Sequence, residues 1–296
     1  MYRIRKWGPA LLLVSPSLAA LGVFVYGFLG WNLRVSLSDW QGFAPTYAYE
    51  GFGNYTRLQD DTRFTNDLTN LVVFTSVFVV GALLVGFFLA ALLERGVKGE
   101  GVFRGVFLFP MAISFIATAV VWRWLLNNAP GRQQTGFNKL FDAVGLNFLV
   151  NDWFKADRPW AIAAVAIPAG WALSGYIMAL FLAGMRGVSD DLREAARVDG
   201  ANEPRVFWHV VRPMLVPVLM SAVVILAHIS LKTFDLIFAL DQESRRIETP
   251  AVYMWFTTFD GLFFSRGAAI ATLLVLGISV VIVPYIWYTI RSERRA

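Results

Sequence analysis

Six uncharged segments, each long enough to cross a lipid bilayer, set the strongest limit on how this chain folds. A transmembrane helix needs about 20 mainly apolar residues, and in lipid only helices or closed barrels pair all their backbone polar groups. We therefore predict an all-α, polytopic membrane protein with six transmembrane helices in a single domain over residues 1–296. The six segments are Trp7–Leu33, Leu68–Leu93, Gly105–Trp122, Pro159–Met185, Pro213–Leu231 and Gly267–Ile290.

The composition supports this class and excludes several kinds of chemistry. Hydrophobic residues make up 57% of the chain and charged residues 16%, which is typical of a membrane protein. There is no cysteine, and the separation of His209 and His228 fits no metal-binding motif. No nucleotide-binding or hydrolase motif is present. We expect no catalytic residue, no metal and no cofactor on this chain, which would therefore not be an enzyme.

Lys and Arg are unevenly distributed between two alternating sets of connecting segments. They are more than twice as dense in one set, which by the positive-inside rule faces the cytoplasm. Both termini are then cytoplasmic, and the net charge of +5 reflects topology, so no nucleic-acid partner is expected. The dense set comprises the N-terminus, 94–104, 184–213 and 291–296, and the sparse set comprises 32–69, 128–159 and 241–266.

The first segment follows Arg3, Arg5 and Lys6, as the apolar core of a signal peptide would. It is too long for such a core, and no small-residue cleavage site closes it. We predict that it is retained as the first span.

The charge-rich loop 184–213 contains a pattern for a short helix outside the membrane. Ser189 is placed to cap this helix, and Asp190 and Asp191 fill its first turn, where the helix dipole favours negative charge. Ala195 and Ala196 are strong helix formers with almost no side chain. A helix with such small residues suits a close docking contact, although an interfacial amphipathic helix without a partner explains the same residues.

The loop continues with a predicted turn and a second short helix. Gly200 permits the turn, because glycine adopts backbone conformations that other residues avoid. Asn202 is placed to cap the second helix, and Pro204 is tolerated in its first turn. The sequence therefore predicts two short helices separated by a break.

The spacing of this loop resembles the cytoplasmic loop of ABC importer permeases. Glu-Ala-Ala at 194–196 is followed after three residues by Gly200, with Phe207, Pro213 and Pro217 in register. The resemblance implies that the loop holds a coupling helix seated in a cleft of a separate ATPase, where Glu194 pairs with a basic residue. Positive-inside charge also explains Arg193, Arg197 and Arg205. The candidate coupling residues are Arg193, Glu194, Ala195, Ala196, Arg197, Asp199, Gly200 and Arg205.

Other stretches resemble the maltose/glycerol-phosphate group of these permeases, which imports carbohydrates. The stretches are 52–55, 103–104, 109–110, 122–124 and 171–184. One departure is 241–246, where relatives carry a Gly-rich turn. This outer loop is expected to contact the external binding protein, so the partner or the substrate would be atypical.

The resemblance implies a type I ABC importer permease fold in the inner membrane of a prokaryote, and transport by alternating access. This chain would form half of a sugar pathway and pair with a second, homologous permease in a heterodimer. Two ATPase subunits at the cytoplasmic face would hold ATP and Mg²⁺, and an external sugar-binding protein would deliver the substrate.

Polar and aromatic residues of the fourth and fifth segments are candidates for the substrate path. Tyr176 offers a ring for stacking on a sugar and a hydroxyl for bonding, and Trp171 and Ser174 precede it. Ser230 and Thr233 are three residues apart and would face one cavity. Helix packing explains these residues as well.

Lys232 and Asp235 are also three residues apart, so on a continuous helix they would pair on one face. Charged residues inside a span indicate function, whereas near its end they reach the interface at little cost. Both interpretations remain open.

Three alternatives remain from the sequence. A stand-alone secondary transporter would predict repeats and ion-binding groups deep in the spans, which are absent. A scaffold or membrane-bound enzyme would leave the pattern from Glu194 to Pro217 unexplained. An ABC permease for a polyol or for glycerol phosphate would carry the same motifs as one for a sugar.

Overall fold

A computed structural model of the chain describes residues 2–129, 133–241 and 245–293. Within these ranges the backbone is helical apart from short connections and one isolated antiparallel bridge between Ser38 and Tyr49. The α-helices are α1 Tyr2–Leu21, α2 Phe28–Ser36, α3 Gly53–Asp60, α4 Thr62–Glu94, α5 Glu100–Leu108, α6 Phe115–Leu125, α7 Gly136–Ala143, α8 Trp160–Arg186, α9 Asp190–Val198, α10 Glu203–Val206, α11 Arg212–Leu231, α12 Asp235–Leu240, α13 Pro250–Trp255 and α14 Phe264–Glu293.

Short 3₁₀ and π segments join several of these helices. The 3₁₀ segments are Phe109–Ala112, Asn147–Leu149 and Trp153–Lys155, and the π segments are Gly22–Gly27, Phe207–Val211 and Phe256–Asp260.

Five helical stretches of the described chain are long and apolar enough to cross a membrane, and a bent pair makes up to six. This confirms the all-α, multi-span class and five of the predicted spans. The stretches are Leu12–Ser36, Thr62–Glu94, Trp160–Arg186, Glu203–Leu231 and Phe264–Trp287.

The third span is broken, and the prediction of one continuous helix there was wrong. Its two halves, Glu100–Ala112 and Phe115–Leu125, meet at 99°. Pro110 has no backbone N–H and lies in the 3₁₀ segment, after which Ile113 is extended. The hydroxyl of Ser114 then accepts a hydrogen bond from the backbone N–H of Ala117 at 3.2 Å and starts a new helix.

The chain divides into two compact units: residues 1–65 with 253–276, and residues 66–252 with 277–296. The core of the first unit includes Leu58, Phe64, Tyr253 and Ile270. Within this unit the side-chain amide of Asn32 donates hydrogen bonds to the backbone carbonyl of Ala268 and the hydroxyl of Thr272, at 3.1 and 3.0 Å. These bonds tie α2 to α14.

A hydrogen-bonded polar pair, Tyr253 and Asp61, lies in the first unit. The hydroxyl of Tyr253 donates a hydrogen bond to Asp61, and the guanidinium of Arg63 lies 4.6 Å from the centre of the Tyr253 ring. Burial raises the pKa of Asp61. Hydrogen bonds from Tyr253 and from the backbone N–H groups of Arg63 and Phe64, with the charge of Arg266, lower it by more than burial raises it, so the net pKa is below its ordinary value.

In the second unit, α4, α8 and α11 are packed closely through small residues. A β-carbon at Gly86 of α4 would lie 2.6 Å from the Ile177 side chain of α8. A β-carbon at Gly184 of α8 would lie 2.9 Å from Leu215 and from Val218 of α11. Small residues let helices approach in this way, and they make these three helices one tightly packed group.

Candidate coupling and substrate sites

The predicted first helix of loop 184–213 is present as α9, and it projects polar groups outward. Glu194 and Asp199 are exposed, as is Ala195, and Val198 is 87% exposed. Asp190 and Asp191 occupy the first turn, as predicted, but the predicted Ser189 cap was wrong. The Ser189 backbone has the extended conformation of a capping residue, but its side chain makes no capping hydrogen bond.

The predicted turn at Gly200 is confirmed. Its φ is +84°, a conformation that favours glycine. The backbone N–H of Gly200 donates to the Arg197 carbonyl, and the N–H of Ala201 donates to the Ala196 carbonyl, both at 3.0 Å. These bonds form a Schellman motif, which satisfies the last carbonyls of α9 and reverses the chain.

The second predicted helix begins after Asn202, as predicted, but it is not separate from the fifth span. The Asn202 side-chain oxygen accepts a hydrogen bond from the backbone N–H of Arg205 at 3.1 Å, confirming the cap. From Glu203 the helix continues to Leu231 as one stretch, so the predicted short helix is the first turn of the fifth span. The continuation is stabilised by packing, since the Phe207 ring lies 5.9 Å from the Phe87 ring of α4.

The three candidate arginines have different surroundings. Arg193 turns inward: its guanidinium bonds Glu94 of α4 and the Met185 carbonyl of α8, both at 2.7 Å. Arg197 pairs with Glu203 at 2.8 Å. Arg205 is exposed, and its side chain makes no ion pair within the described residues. The residues that remain turned outward are therefore Glu194, Asp199 and Arg205.

The candidate substrate residues of α8 divide between surface and interior. Trp171 is 39% exposed, and its ring meets that of Trp122 edge-on at 5.9 Å. Tyr176 is half-buried. Ser174 is buried and donates to the Trp171 carbonyl of its own helix at 3.3 Å.

The candidate hydroxyls at the end of α11 are both packed inside. The Ser230 hydroxyl donates to the Ala227 carbonyl at 2.8 Å and accepts from the Thr75 hydroxyl of α4 at 2.9 Å. The Thr233 hydroxyl donates to the Ile229 carbonyl at 2.8 Å. Both side chains are buried, and the Ser230 hydroxyl links α11 to α4, whereas the Thr233 hydroxyl bonds a carbonyl of α11.

The expectation that Lys232 and Asp235 share one helical face was wrong. Helix α11 ends at Leu231, and Asp235 is the first residue of α12. The backbone N–H groups of Lys232 and Thr233 donate to the carbonyls of Ile229 and Ser230, at 3.1 and 3.3 Å, so the last turn tightens to a three-residue spacing where α11 ends. Both charged side chains are exposed, and in the described part of the chain no ion pair joins them.

Comparison with known proteins assigns the chain to a family. The family model for the binding-protein-dependent transport system inner membrane component matches residues 82–295. The chain belongs to this family. It is 37% identical to a probable ABC transporter permease of Pyrococcus horikoshii, over 96% of this chain and 97% of that protein. It is 33% identical to the xylose/arabinose import permease XacH of Haloferax volcanii, over 95% of this chain and 86% of that protein.

A solved structure shares the fold. It is a crystal structure of a bacterial ABC transporter involved in the import of the acidic polysaccharide alginate. The TM-score is 0.77 at 17% sequence identity, and the match covers 99% of this chain and 98% of that chain. The fold is therefore that of an ABC importer permease, as predicted. The protein is a multi-pass inner-membrane subunit of a binding-protein-dependent transporter.

The permease also has features that the sequence analysis missed. Glu94 lies in the chain 99 residues before its partner Arg193, so no local pattern connects them. A cavity of about 770 Å³ lies at the end of α8 opposite α9. In the sequence, this region was marked only by the two tryptophans and the arginine at 122–124. The cavity is lined by Val120, Arg123, Trp124, Asn127, Thr135, Phe154, Lys155, Leu240 and Asp241.

The outer loop 241–246, predicted to contact the binding protein, is described in part. Residues 242–244 lie outside the described ranges. Arg158 donates hydrogen bonds to the carbonyls of Arg245 and Arg246, and Arg246 donates to the Lys155 carbonyl. These bonds join the end of the loop to the segment that precedes α8.

Proposed function

We propose that this chain is one of two permease subunits in a sugar-importing ABC transporter. The exposed α9, with its Glu-Ala-Ala sequence and Gly200 turn, is the observation that carries the coupling part of this proposal. The xylose/arabinose import permease matches nearly the whole chain, and its named function supports a sugar as the cargo. The alginate transporter of the same fold also carries a carbohydrate.

The ATPase would bind the outward face of α9. Glu194 and Asp199 give this face negative charge, so we expect basic residues in the ATPase cleft. Ala195 allows the partner to approach the helix backbone closely. ATP and Mg²⁺ would be held by two ATPase subunits, and the density of Lys and Arg favours a cytoplasmic location for α9 and both termini.

A second permease would complete the pathway. The most apolar 18-residue part of the first span, within Leu12–Ser36, has no buried residues in this subunit, whereas 67% of the corresponding part of α8 is buried. The exposed spans are surfaces for lipid and for the second permease, and we expect a heterodimer. The external sugar-binding protein would dock at the end opposite α9.

We place the substrate path beside α8, at Tyr176 and Trp171. These are the candidate residues whose rings reach the surface of the subunit. Aromatic rings with a polar edge suit a sugar, which has apolar faces and a rim of hydroxyls. Ser230 would hold α11 against α4, Ser174 and Thr233 would act through bonds to their own helices, and Lys232 and Asp235 would lie beyond the end of α11.

Purification through an affinity tag on this chain tests the assembly. Gently solubilised membranes are expected to yield an ATPase and a second permease with the chain. In liposomes, the binding protein and a pentose or hexose should stimulate ATP hydrolysis and uptake together. A panel containing xylose, arabinose, glucose, a polyol and glycerol phosphate identifies the cargo. Ion-driven uptake by the chain alone would instead establish a secondary transporter.

A further inference from the structure

We infer that Arg193 and Glu94 form a positioning clamp that transmits movement of the coupling helix α9 to the spans. This inference rests on the proposed function, since it concerns how that coupling is performed. It reassigns Arg193 from a contact with the ATPase to a link inside the permease.

The clamp connects three helices at one point. The Arg193 guanidinium of α9 lies 2.7 Å from a Glu94 carboxylate oxygen at the end of α4. It also donates to the Met185 carbonyl, near the end of α8, at 2.7 Å. The exposed fractions of the Arg193 and Glu94 side chains are 18% and 27%. A pair with this much of its charge removed from water is held more strongly than a surface pair.

The clamp supplies a connection that the chain itself does not. Through the backbone, α9 is joined only to α8 and, across the Gly200 turn, to the fifth span. Arg193 adds α4, which is 99 residues away in sequence. A force on α9 is thereby applied to the second and fourth spans together.

The helices behind the clamp are packed well enough to move as one body. Gly86 seats α4 against α8, and Gly184 seats α8 against α11, with no room for a β-carbon in either place. The Phe87 ring of α4 also meets the rings of Phe181 and Phe207, at 5.4 and 5.9 Å between centres. Close-packed interiors transmit displacement instead of absorbing it. Movement of α9 would therefore reach α4, α8 and α11.

A second ion pair provides a matched control. Arg186 of α8 lies 2.7 Å from Glu100 of α5, and the exposed fractions of their side chains are 44% and 22%. This pair is also an arginine with a glutamate, and its arginine lies at the same end of α8 as the clamp. It does not include α9, so Arg186→Ala removes the same charge without disconnecting the coupling helix.

The test measures uptake per ATP hydrolysed in the complete complex, together with the amount of ATPase bound. Arg193→Ala and Glu94→Gln are expected to keep the ATPase bound while uptake per ATP falls roughly fivefold or more, the lower range of coupling between sites. The exchange Arg193→Glu with Glu94→Arg should restore part of the ratio, because it re-forms the ion pair with α4 while a glutamate at 193 cannot donate to the Met185 carbonyl. Arg186→Ala should leave the ratio unchanged.

Three results would overturn the clamp. Loss of bound ATPase in Arg193→Ala alone would make Arg193 a docking contact. An unchanged uptake per ATP in Glu94→Gln would show that the pair transmits nothing. Reduced folded complex with an unchanged ratio per complex would limit the pair to stability. Absence of ATP-driven uptake in the unmodified complex would instead contradict the proposed function.

Discussion

The coupling loop and the polar residues of the fourth and fifth spans differ in where their polar side chains find partners. Glu194 of α9 and Asp199 at its C-terminal end are exposed, whereas Ser174, Ser230 and Thr233 bond carbonyls of their own helices. A hydroxyl inside a membrane needs a partner, and the nearest helix carbonyl supplies one. The comparison teaches that a polar residue outside the lipid can stay turned outward, whereas a hydroxyl within a span bonds the nearest helix carbonyl.

The largest effect is expected from Gly200→Val. A β-branched residue at a φ of +84° is strained by roughly 1–3 kcal/mol, so α9 and the fifth span would no longer be set at the same angle. ATP-driven uptake should be nearly abolished while the chain still inserts. Gly101→Val is the control, because that position has free space and no positive φ. Normal uptake in both variants would remove the turn from the coupling mechanism.

Glu194→Arg should have the next largest effect. It reverses an exposed charge on α9, so the variant would be repelled by a basic ATPase cleft and retain less ATPase during purification. The loss should lessen in high salt, because salt screens charge repulsion. Asp142→Arg, on exposed α7, controls for the change in total charge. Equal ATPase recovery from both variants would contradict docking through Glu194.

Tyr176→Ala tests whether Tyr176 of the fourth span contacts the substrate. Removing the ring should lower uptake per assembled complex or alter preference among sugars, by roughly the 1–3 kcal/mol that changes in substrate contacts usually produce. Sugar binding to the external protein should be unaffected. If uptake per complex stays constant across several sugars, Tyr176 contributes to helix packing, as Ser230 does, and does not contact the substrate.

Asp61→Asn measures how much a hydrogen-bonded carboxylate contributes to the stability of the fold. The pKa of Asp61 in the folded protein is lowered, so its charge stabilises the fold fully above the unfolded value of about 3.9. This contribution disappears as the pH falls through the folded pKa. The variant should lose about 1.5 kcal/mol of unfolding free energy at pH 7, the usual size for a hydrogen bond to a charged group. Thermal unfolding at pH 7 and pH 3 measures whether the difference shrinks.

Ser230→Ala is expected to have the smallest effect. It removes the hydroxyl bond to Thr75 between α11 and α4. Bonds of this kind between membrane helices contribute about 0.6 kcal/mol on average. We expect a small loss of thermal stability and no change in uptake per complex. A change in sugar preference would return Ser230 to the substrate path.

The spans and the coupling turn were predictable because their signals are local. Hydropathy identified the span-length helices, and the first-turn aspartates, the two alanines and Gly200 predicted α9 and the turn that ends it. The break at Ser114 carried a signal in the preceding Pro110, which hydropathy ignores.

The roles of the arginines were not predictable, because they depend on distant residues. Arg193, Arg197 and Arg205 look alike in sequence, but only Arg193 meets Glu94. The end of α11 was also not predicted, because the backbone hydrogen bonds of Lys232 and Thr233 that mark it follow no sequence pattern. The role of each arginine and the end of α11 were both determined by contacts that form only when the chain folds.

The broken third span has a consequence for where water enters the membrane region. Hydrocarbon offers no hydrogen bonds, so irregular backbone at that depth is tolerated only against protein or beside a water-filled space. The break at Ile113 and Ser114 lies near the middle of its span, and Phe109, Met111 and Ile116 around it are more than half exposed in this subunit. Lipid therefore cannot be the sole neighbour of this side. It is the side to label with water-soluble probes when the hydrated interior of the assembled transporter is mapped.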